Sequence, residues 1–299
     1  MGGLMISVPK GLPGRVFGHW PGGASLAVYV VVAVEDYRPG EGHVEDLLPG
    51  VPAPDLVNRA WRDYGNNVGV HRLLDRVGSL GIPPTTLLNT MLYDTAPDVL
   101  AAARAAGAEL VGHGVSNSDS LHGLDPDSEL AYLTAVATTI EKNEGTPPGG
   151  WSSPWLTHTP TTVENLVRGG YRYLLDLRPD DQPRWLPSAS GPLLSIPYSL
   201  ELNDSTSMVG RHVSAADFAD MIVDEFDELL ASDDGQPVVM SIVLHSFISG
   251  APFRLRRIGR ALAHVADHGD RVWLTKPRDI YESFSILCPP PEHTPRGAA

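Results

Sequence analysis

The sequence predicts an α/β fold, specifically a distorted TIM-like barrel of seven β/α units. Three observations carry this expectation. Strand-like apolar runs alternate with helix-period segments about seven times along the 299 residues, which implies parallel strands joined by right-handed crossovers. Two of the runs, Ala27 to Val34 (AVYVVVAV) and Pro237 to Leu244 (PVVMSIVL), are almost wholly apolar, as suits strands covered on both faces. Polar groups able to do chemistry stand at the ends of these runs, where β/α barrels place their catalytic groups. A doubly wound open sheet is the alternative, but no glycine-rich phosphate fingerprint follows the first strand.

In chain order, residues 1–24 are rich in Gly and Pro and read as a surface arm. A single barrel domain is expected over 25–285, with a disordered tail over 286–299. The first strand runs from Ser25 to Asp36. The Pro- and Gly-bearing stretch from Tyr37 to Asn66 reads as a long loop, of the length usually reserved for a lid. Val70, Leu73, Leu74 and Val77 fall at i, i+3, i+4 and i+7, the stripe of an amphipathic helix. Thr85 to Thr90 is a short strand, Pro97 to Ala106 a helix, and Glu109 to Val111 a strand running into Gly112-His113-Gly114. Asp125-Pro126 supplies an N-cap and a first-turn proline for a helix to about Asn143. Gly150 to Ser153, Tyr171 to Asp176 and Leu193 to Tyr198 read as strands. Thr159-Pro160 is expected to cap a helix to Arg168, and Ser214 one reaching Ala231. After Pro237 to Leu244 come a helix from Leu255 to Val265, a strand from Arg271 to Thr275 and a last helix to Phe284.

Composition narrows the function classes. The chain has 22 basic and 36 acidic residues, net −14, which argues against nucleic acid or an anionic membrane as its partner. The longest apolar run is far too short to span a bilayer, and Met1 to Gly14 lacks a signal-peptide core. The lone Cys288 permits no intrachain disulfide. A cytoplasmic protein acting on a small molecule is the expectation, with homo-oligomerisation left open.

The strand ends deliver Glu35, Asp36, Asn89, His113, Ser152, Ser153, Asp176, Tyr198, His245 and Thr275. Carboxylates at the rim of a core have their pKa set by desolvation and neighbours. Adjacent strand residues point to opposite faces, so only one of Glu35 and Asp36 should enter the barrel. The basic residues Arg254, Arg256, Arg257 and Arg260 read as a solvated helix face, and Asp180 and Asp181 as turn residues or members of ion pairs.

Several stretches together carry a family likeness: Val34-Glu35-Asp36, Trp61 to Asp75 (WRDYGNNVGVHRLLD), Gly112-His113-Gly114, Gly150-Trp151 with Ser153-Pro154, Asp180 to Pro183, and Leu244-His245 with Ile248-Ser249-Gly250. In this order the chain resembles the polysaccharide deacetylase, or NodB-homology, superfamily, and most closely its cytoplasmic allantoinase-like and cyclic-imide-hydrolase-like branch. The resemblance implies a seven-stranded distorted barrel. It puts Glu35 at the position of the general base, Asp36 and His113 at metal-ligand positions, and His245 at that of the general acid. The third ligand position is Asn117, a weak ligand for zinc. The cofactor expectation is therefore either none or a weakly bound divalent metal, Zn2+ foremost, on Asp36 and His113.

The function expected is a hydrolase of non-peptide carbon–nitrogen bonds acting on a small cyclic amide, imide or ureide. Glu35, Asp36, His113 and His245 are the catalytic candidates. Asn117, Trp151, Ser153, Pro154 and Trp61 are the substrate-binding candidates, with backbone N–H groups near Ser153 and the Asn117 side chain as oxyanion donors. The alternatives are N-deacetylation of an acetylated sugar, or a non-catalytic metabolite- or carbohydrate-binding protein on the same barrel.

Overall fold

In the computed structural model, which describes residues 14–232 and 235–292, the first strand sets the plan. β1 (Leu26–Val34) is buried at every residue because it is paired on both edges and covered on both faces. The remaining strands are β2 (Pro84–Leu88), β3 (Glu109–Gly112), β4 (Gly150–Trp151), β5 (Tyr173–Leu174), β6 (Arg184–Leu186), β7 (Leu193–Ser195), β8 (Val238–His245) and β9 (Val272–Leu274). They form one curled sheet in the order β6-β7-β5-β4-β3-β2-β1-β8, with β9 also paired to β1. All pairings are parallel except β6 with β7. β9 takes Leu26–Val28 of β1, whereas β2 begins only at Val30.

The seam beyond β8 is closed by loop backbone. Val243 N–H donates to Leu202 C=O at 2.8 Å and Val239 N–H to Asp181 C=O at 2.8 Å. This is the expected distorted barrel, closed on one side without a full strand.

Alternation along β1 divides the core in two. Leu26, Val28, Val30, Val32 and Val34 face outward and pack with helical residues such as Val70, Leu73, Val77, Ile258 and Leu262. Ala27, Tyr29, Val31 and Ala33 face inward with Leu87, Val111, Tyr173, Leu194 and Val243. The floor of the barrel is plugged by Trp20, which lies 5.7 Å from Trp273 and 6.3 Å from Phe284 and donates to Val238 C=O at 2.8 Å.

The helices are α1 (Leu56–Tyr64), α2 (Val70–Ser79), α3 (Leu92–Thr95), α4 (Pro97–Ala105), α5 (Pro126–Glu144), α6 (Thr162–Arg168), α7 (Ala215–Ala231), α8 (Ser246–Ser249), α9 (Pro252–Ala266) and α10 (Pro277–Leu287). Three expectations need correction. The stretch read as a loop to Asn66 contains α1, continued into α2 by a π-helical turn at Gly65–Gly69. Leu56, Ala60, Trp61 and Tyr64 are spaced for one helix face, but the prolines and glycines just before them mask the helix, and only Asn58 of α1 is fully buried. The irregular stretch from Leu177 to Pro192 holds β6, a strand of three residues. Thr159 does not cap α6, because its hydroxyl donates to the buried Glu129 carboxylate at 2.9 Å and the helix begins at Thr162. Residues 1–13 of the expected arm and 293–299 of the expected tail lie outside the described residues.

The π-helical turn is pressed directly against α8. A Cβ on Gly250 would sit 2.4 Å from Gly69 Cα and 2.3 Å from Ser246 O, so two backbones touch where side chains cannot fit. We expect Gly250→Ala to destabilise by about 1–3 kcal/mol or more. Gly78→Ala, which meets nothing within 4 Å, should be neutral or stabilising by up to about 1 kcal/mol. Urea unfolding of the two variants checks the pair, and equal midpoints would contradict the packing argument.

Candidate active site

The inward face of β1 ends in Glu35, which is 5% exposed and turns into the barrel mouth. Its Oε1 lies 3.2 Å from His245 Nε2 and 3.7 Å from His113 Nε2. Its Oε2 accepts a hydrogen bond from the Tyr37 hydroxyl at 2.7 Å. β8 delivers His245, and β3 leads directly into His113.

Both imidazoles are held from behind. His245 Nδ1 is 2.6 Å from Asp204 Oδ1, and the Asp204 carboxylate also accepts the His245 backbone N–H and the Ser249 hydroxyl. His113 Nδ1 donates to Ser152 C=O at 2.8 Å; a carbonyl only accepts, which fixes the proton on Nδ1 and leaves Nε2 facing Glu35.

The charges follow from this geometry. Burial alone would raise the Glu35 pKa, but the adjacent His245 and His113 outweigh it and hold the carboxyl well below its usual range. Burial would lower the His245 pKa, but the Glu35 and Asp204 carboxylates on either side raise it well above its usual value. The cluster therefore contains an ionised carboxylate paired with an imidazolium. Burial, reinforced by the Glu35 charge, pushes the Tyr37 phenol up, so it remains a neutral donor.

The other sequence candidates divide sharply. Asp36 faces away from the histidines: its Oδ2 accepts from Thr95 at 2.5 Å and its Oδ1 from the Tyr37 backbone N–H at 2.9 Å. Among the described residues no ion pair joins it to His113, so the Asp36–His113 metal pair is not assembled, and the carboxylate opposite His113 is that of Glu35. Trp151 is fully buried in the outer core, edge-on to Tyr171 at 5.4 Å, and is a packing residue. Ser153 is consumed structurally, since its hydroxyl accepts from Trp151 Nε1 and its N–H donates to Asp176. Its backbone N–H is therefore already used and is not an oxyanion donor. Pro154 packs against Gly114, where an added Cβ would meet its Cγ at 2.7 Å. Trp61 lies edge-on to Phe247 at 4.9 Å, and Phe247 in turn flanks His245 and Tyr37.

Asn117 sits at the site but with the opposite polarity from the expectation. Tyr37 spends its proton on Glu35, so its oxygen can only accept, and Asn117 Nδ2 donates to it at 2.8 Å. The free atom is thus Oδ1, an acceptor, buried and without a hydrogen-bond partner. The same logic fixes Asn66, whose Nδ2 donates to Glu35 C=O at 3.0 Å and whose Oδ1 is also unpartnered. A buried unpaired acceptor costs about 1–3 kcal/mol, which marks both as positions suited to a donor.

The donor set at the family's ligand positions does not suit a metal ion. Asp36 points elsewhere, Asn117 is turned toward Tyr37, and Glu35, His113 and His245 do not bring three donor atoms within 4.8 Å of one another. The chemistry derived below uses the chain's own groups.

Residues 38–55 lie over the site as a lid. His43 N–H donates to Ser118 C=O at 3.0 Å, Glu45 accepts from Ser205 at 2.7 Å, and Asp46 pairs with Arg62 at 2.7 Å. Burial raises the Glu45 pKa. Beneath the lid is a cavity of about 850 Å³ whose wall includes Glu35, Asp36, Tyr37, Arg62, Asn66 and Thr95. His113, His245 and Asn117 are not on that wall, so Glu35 is the group shared by cavity and cluster. Trp155, absent from the sequence candidates, ties these parts together. Its Nε1 donates to Asn117 C=O at 2.6 Å and its ring lies 5.5 Å from that of His43. It does so at φ 56°, followed by Leu156 at φ 52°, a left-handed conformation costly for bulky residues.

Comparisons with known proteins agree with this geometry. No protein-family profile matches the chain. A Schizosaccharomyces pombe protein classed by name with the polysaccharide deacetylases is 26% identical, over 90% of this chain and 93% of its own. The peptidoglycan deacetylase of Helicobacter pylori is 23% identical over 76% and 86%. The crystal structure of PuuE allantoinase superposes with a TM-score of 0.82 at 27% identity, covering 95% of this chain and 99% of that one. A Pseudomonas aeruginosa structure named for polysaccharide deacetylation gives 0.77 at 26%. The class defined by fold and likeness is that of hydrolases acting on non-peptide carbon–nitrogen bonds. Within it, the chain is similar to polysaccharide deacetylases and an allantoinase of the NodB-homology superfamily.

The coupled pair predicts a pH window. Because the His245 pKa is raised by folding, its stabilisation is complete below about 6.5, the ordinary imidazole value, and is lost as pH rises through the folded value. Because the Glu35 pKa is lowered, its stabilisation is present above about 4.3, the ordinary carboxyl value, and is lost as pH falls through the folded value. Asp204→Asn removes one of the two carboxylates that raise His245, so the alkaline edge of stability should move to lower pH while the acid edge stays. Denaturation midpoints across pH, with the His245 imidazole titration followed by NMR, check this; an unmoved alkaline edge would contradict it.

Proposed function

We propose that this protein opens a small cyclic ureide or imide by hydrolysing a ring C–N bond. The observation that carries the reading is the buried, acceptor-only Oδ1 of Asn117, whose amide is joined to Glu35 through the Tyr37 hydroxyl. A ureide or imide ring presents N–H donors next to its reacting carbonyl, and an unpartnered amide oxygen is the complement of such a group. The likeness to an allantoinase over nearly the whole of both chains supports the same substrate class.

In this mechanism Glu35 takes a proton from water as the water oxygen attacks the ring carbonyl carbon, giving a tetrahedral intermediate. Collapse of that intermediate breaks the C–N bond, and His245 Nε2 gives its proton to the departing nitrogen. Mutual coupling makes the two transfers cooperative. Protonating Glu35 removes one of the charges that raises the His245 pKa, so His245 becomes the stronger acid when the nitrogen needs a proton. Asp204 keeps the imidazole oriented, and the imidazolium opposes the charge developing on the carbonyl oxygen. His113 borders Glu35 Oε1 on the side opposite Tyr37, with its Nε2 3.7 Å away. Closure of the lid excludes bulk water.

The relatives' names favour a second reading, deacetylation of an N-acetylated sugar, and one experiment separates the two. Hydantoin- and imide-type rings, their N-methylated counterparts and N-acetylglucosamine are offered to the purified protein. We expect ring opening, strongly reduced by N-methylation next to the scissile carbonyl, and a loss of about 10²–10⁴ in kcat for Glu35→Gln or His245→Asn. Acetate release from the sugar with no ring opening would overturn the ureide reading. Trp155→Ala should raise KM more than it lowers kcat, because the indole joins lid to site without reaching the reacting atoms; steady-state kinetics on the preferred ring tests this.

A further inference from the structure

Outside the barrel mouth, on the surface where α7 and α9 pack side by side, Asp227, His264 and His268 bring one donor atom each to within 4.8 Å of one another, the only such group of His, Cys, Asp or Glu among the described residues. We propose that these three residues form a binding site for a first-row divalent transition-metal ion, zinc in particular, separate from the catalytic cluster.

The spacing starts the argument. His264 lies in the last turn of α9 and His268 is four residues on, just past the helix end, so the two rings lie on the same side, with centroids 4.8 Å apart. Asp227 comes from the neighbouring helix α7, with Oδ1 at 2.7 Å from His264 Nε2.

Orientation is the second observation. His268 Nδ1 donates to the His264 C=O at 2.8 Å, which places the proton on Nδ1 and leaves Nε2 as a lone-pair donor. This is the backbone-carbonyl support that ligating histidines usually have. The buried Phe226 ring lies 4.8 Å from His268 and 5.7 Å from His264, edge-on to both, a rigid shelf that limits their rotation. An ion pair between His264 and Asp227 would need neither His268 nor the shelf.

Electrostatics and donor type agree. The last carbonyls of α9 give this end a partial negative charge, which favours a cation. Two imidazoles and a carboxylate suit zinc, copper or nickel rather than magnesium or calcium. Metal–ligand distances of about 2.0–2.2 Å require the His264–Asp227 contact to open slightly, which the half-exposed Asp227 side chain permits. Three protein ligands leave a fourth position for water, and the ion would clamp α7 to α9.

Zn2+ is titrated calorimetrically into the metal-free full-length protein, its His264→Ala and His268→Ala variants, and His113→Ala as a control for the barrel mouth, with Mg2+ as the control ion. Thermal melting of each with and without Zn2+ gives an independent readout. One Zn2+ per chain is expected for the unaltered protein and for His113→Ala, each with a raised Tm. His264→Ala and His268→Ala should bind more than about 10-fold more weakly and lose the rise in Tm. Equal binding by the His264 and His268 variants, loss of the site in His113→Ala alone, or no Zn2+ binding by the unaltered protein would each overturn the proposal. Both histidines are partly exposed at a helix end, so their loss leaves the core intact, and an unchanged Tm without metal verifies this.

Discussion

A buried carboxylate held by an imidazole and a phenol at the inner rim of a barrel is the constraint around which this molecule is built. Desolvating Glu35 and His245 is costly, and removing one partner of a buried pair typically costs about 3–5 kcal/mol. The surroundings offset that cost group by group. Tyr37 donates to Glu35, Asp204 backs His245, Ser152 holds His113 and Asn117 supports Tyr37. Each of those residues comes from a different loop at the C-terminal ends of the strands or from the turn that follows. The cluster can exist only if β1, β3 and β8 stop at one level, and the register of β1 against β8, with Ala33 opposite His245, sets that level.

The lid continues the same logic outward. It covers the charged cluster, and its anchors are half-buried polar contacts, Glu45 with Ser205 and Asp46 with Arg62, rather than a second apolar core. The lid is thus tied to the barrel mouth chiefly by polar contacts outside the sheet. The strained turn at Trp155 and Leu156 lies on this boundary. Its backbone conformation is held by the indole's hydrogen bond to Asn117 and its contact with His43, so whatever moves the lid also acts on Asn117.

Legibility in the sequence followed physical signal. The barrel was readable because a buried parallel strand is a run of apolar residues, and β1 and β8 are such runs. The acids and histidines at strand ends were readable because β/α geometry collects them at one end. Parity along β1 predicted that only one acid would enter, but not which. The structure places Glu35 inside, in phase with Ala33 and Val31. Asp204 left no comparable trace: it precedes a π-helical turn, carries no periodicity, and reaches His245 from 41 residues away in sequence. Helix α1 is hard to read because the prolines and glycines of residues 39–54 lead straight into it. Asn117 was read as an oxyanion donor because an amide has two ends, and only the direction of the Tyr37 hydrogen bond decides which end is free.

That reversal bears on the question of metal. Where the family resemblance expects Asp36, His113 and a third ligand, this chain turns Asp36 toward Thr95 and places an amide oxygen at the third position. On the proposed reading, the unpartnered Asn117 Oδ1 accepts from a ring N–H and discriminates against substrates that lack one. Zinc found with the purified protein would therefore not by itself identify a catalytic metal, because Asp227, His264 and His268 offer donors of the right kind on the outer wall. The two cases differ in what chelation should change. Removing an ion from the outer wall loosens α7 from α9 and lowers stability. Removing one required by Glu35 and His113 would abolish turnover with little change in Tm.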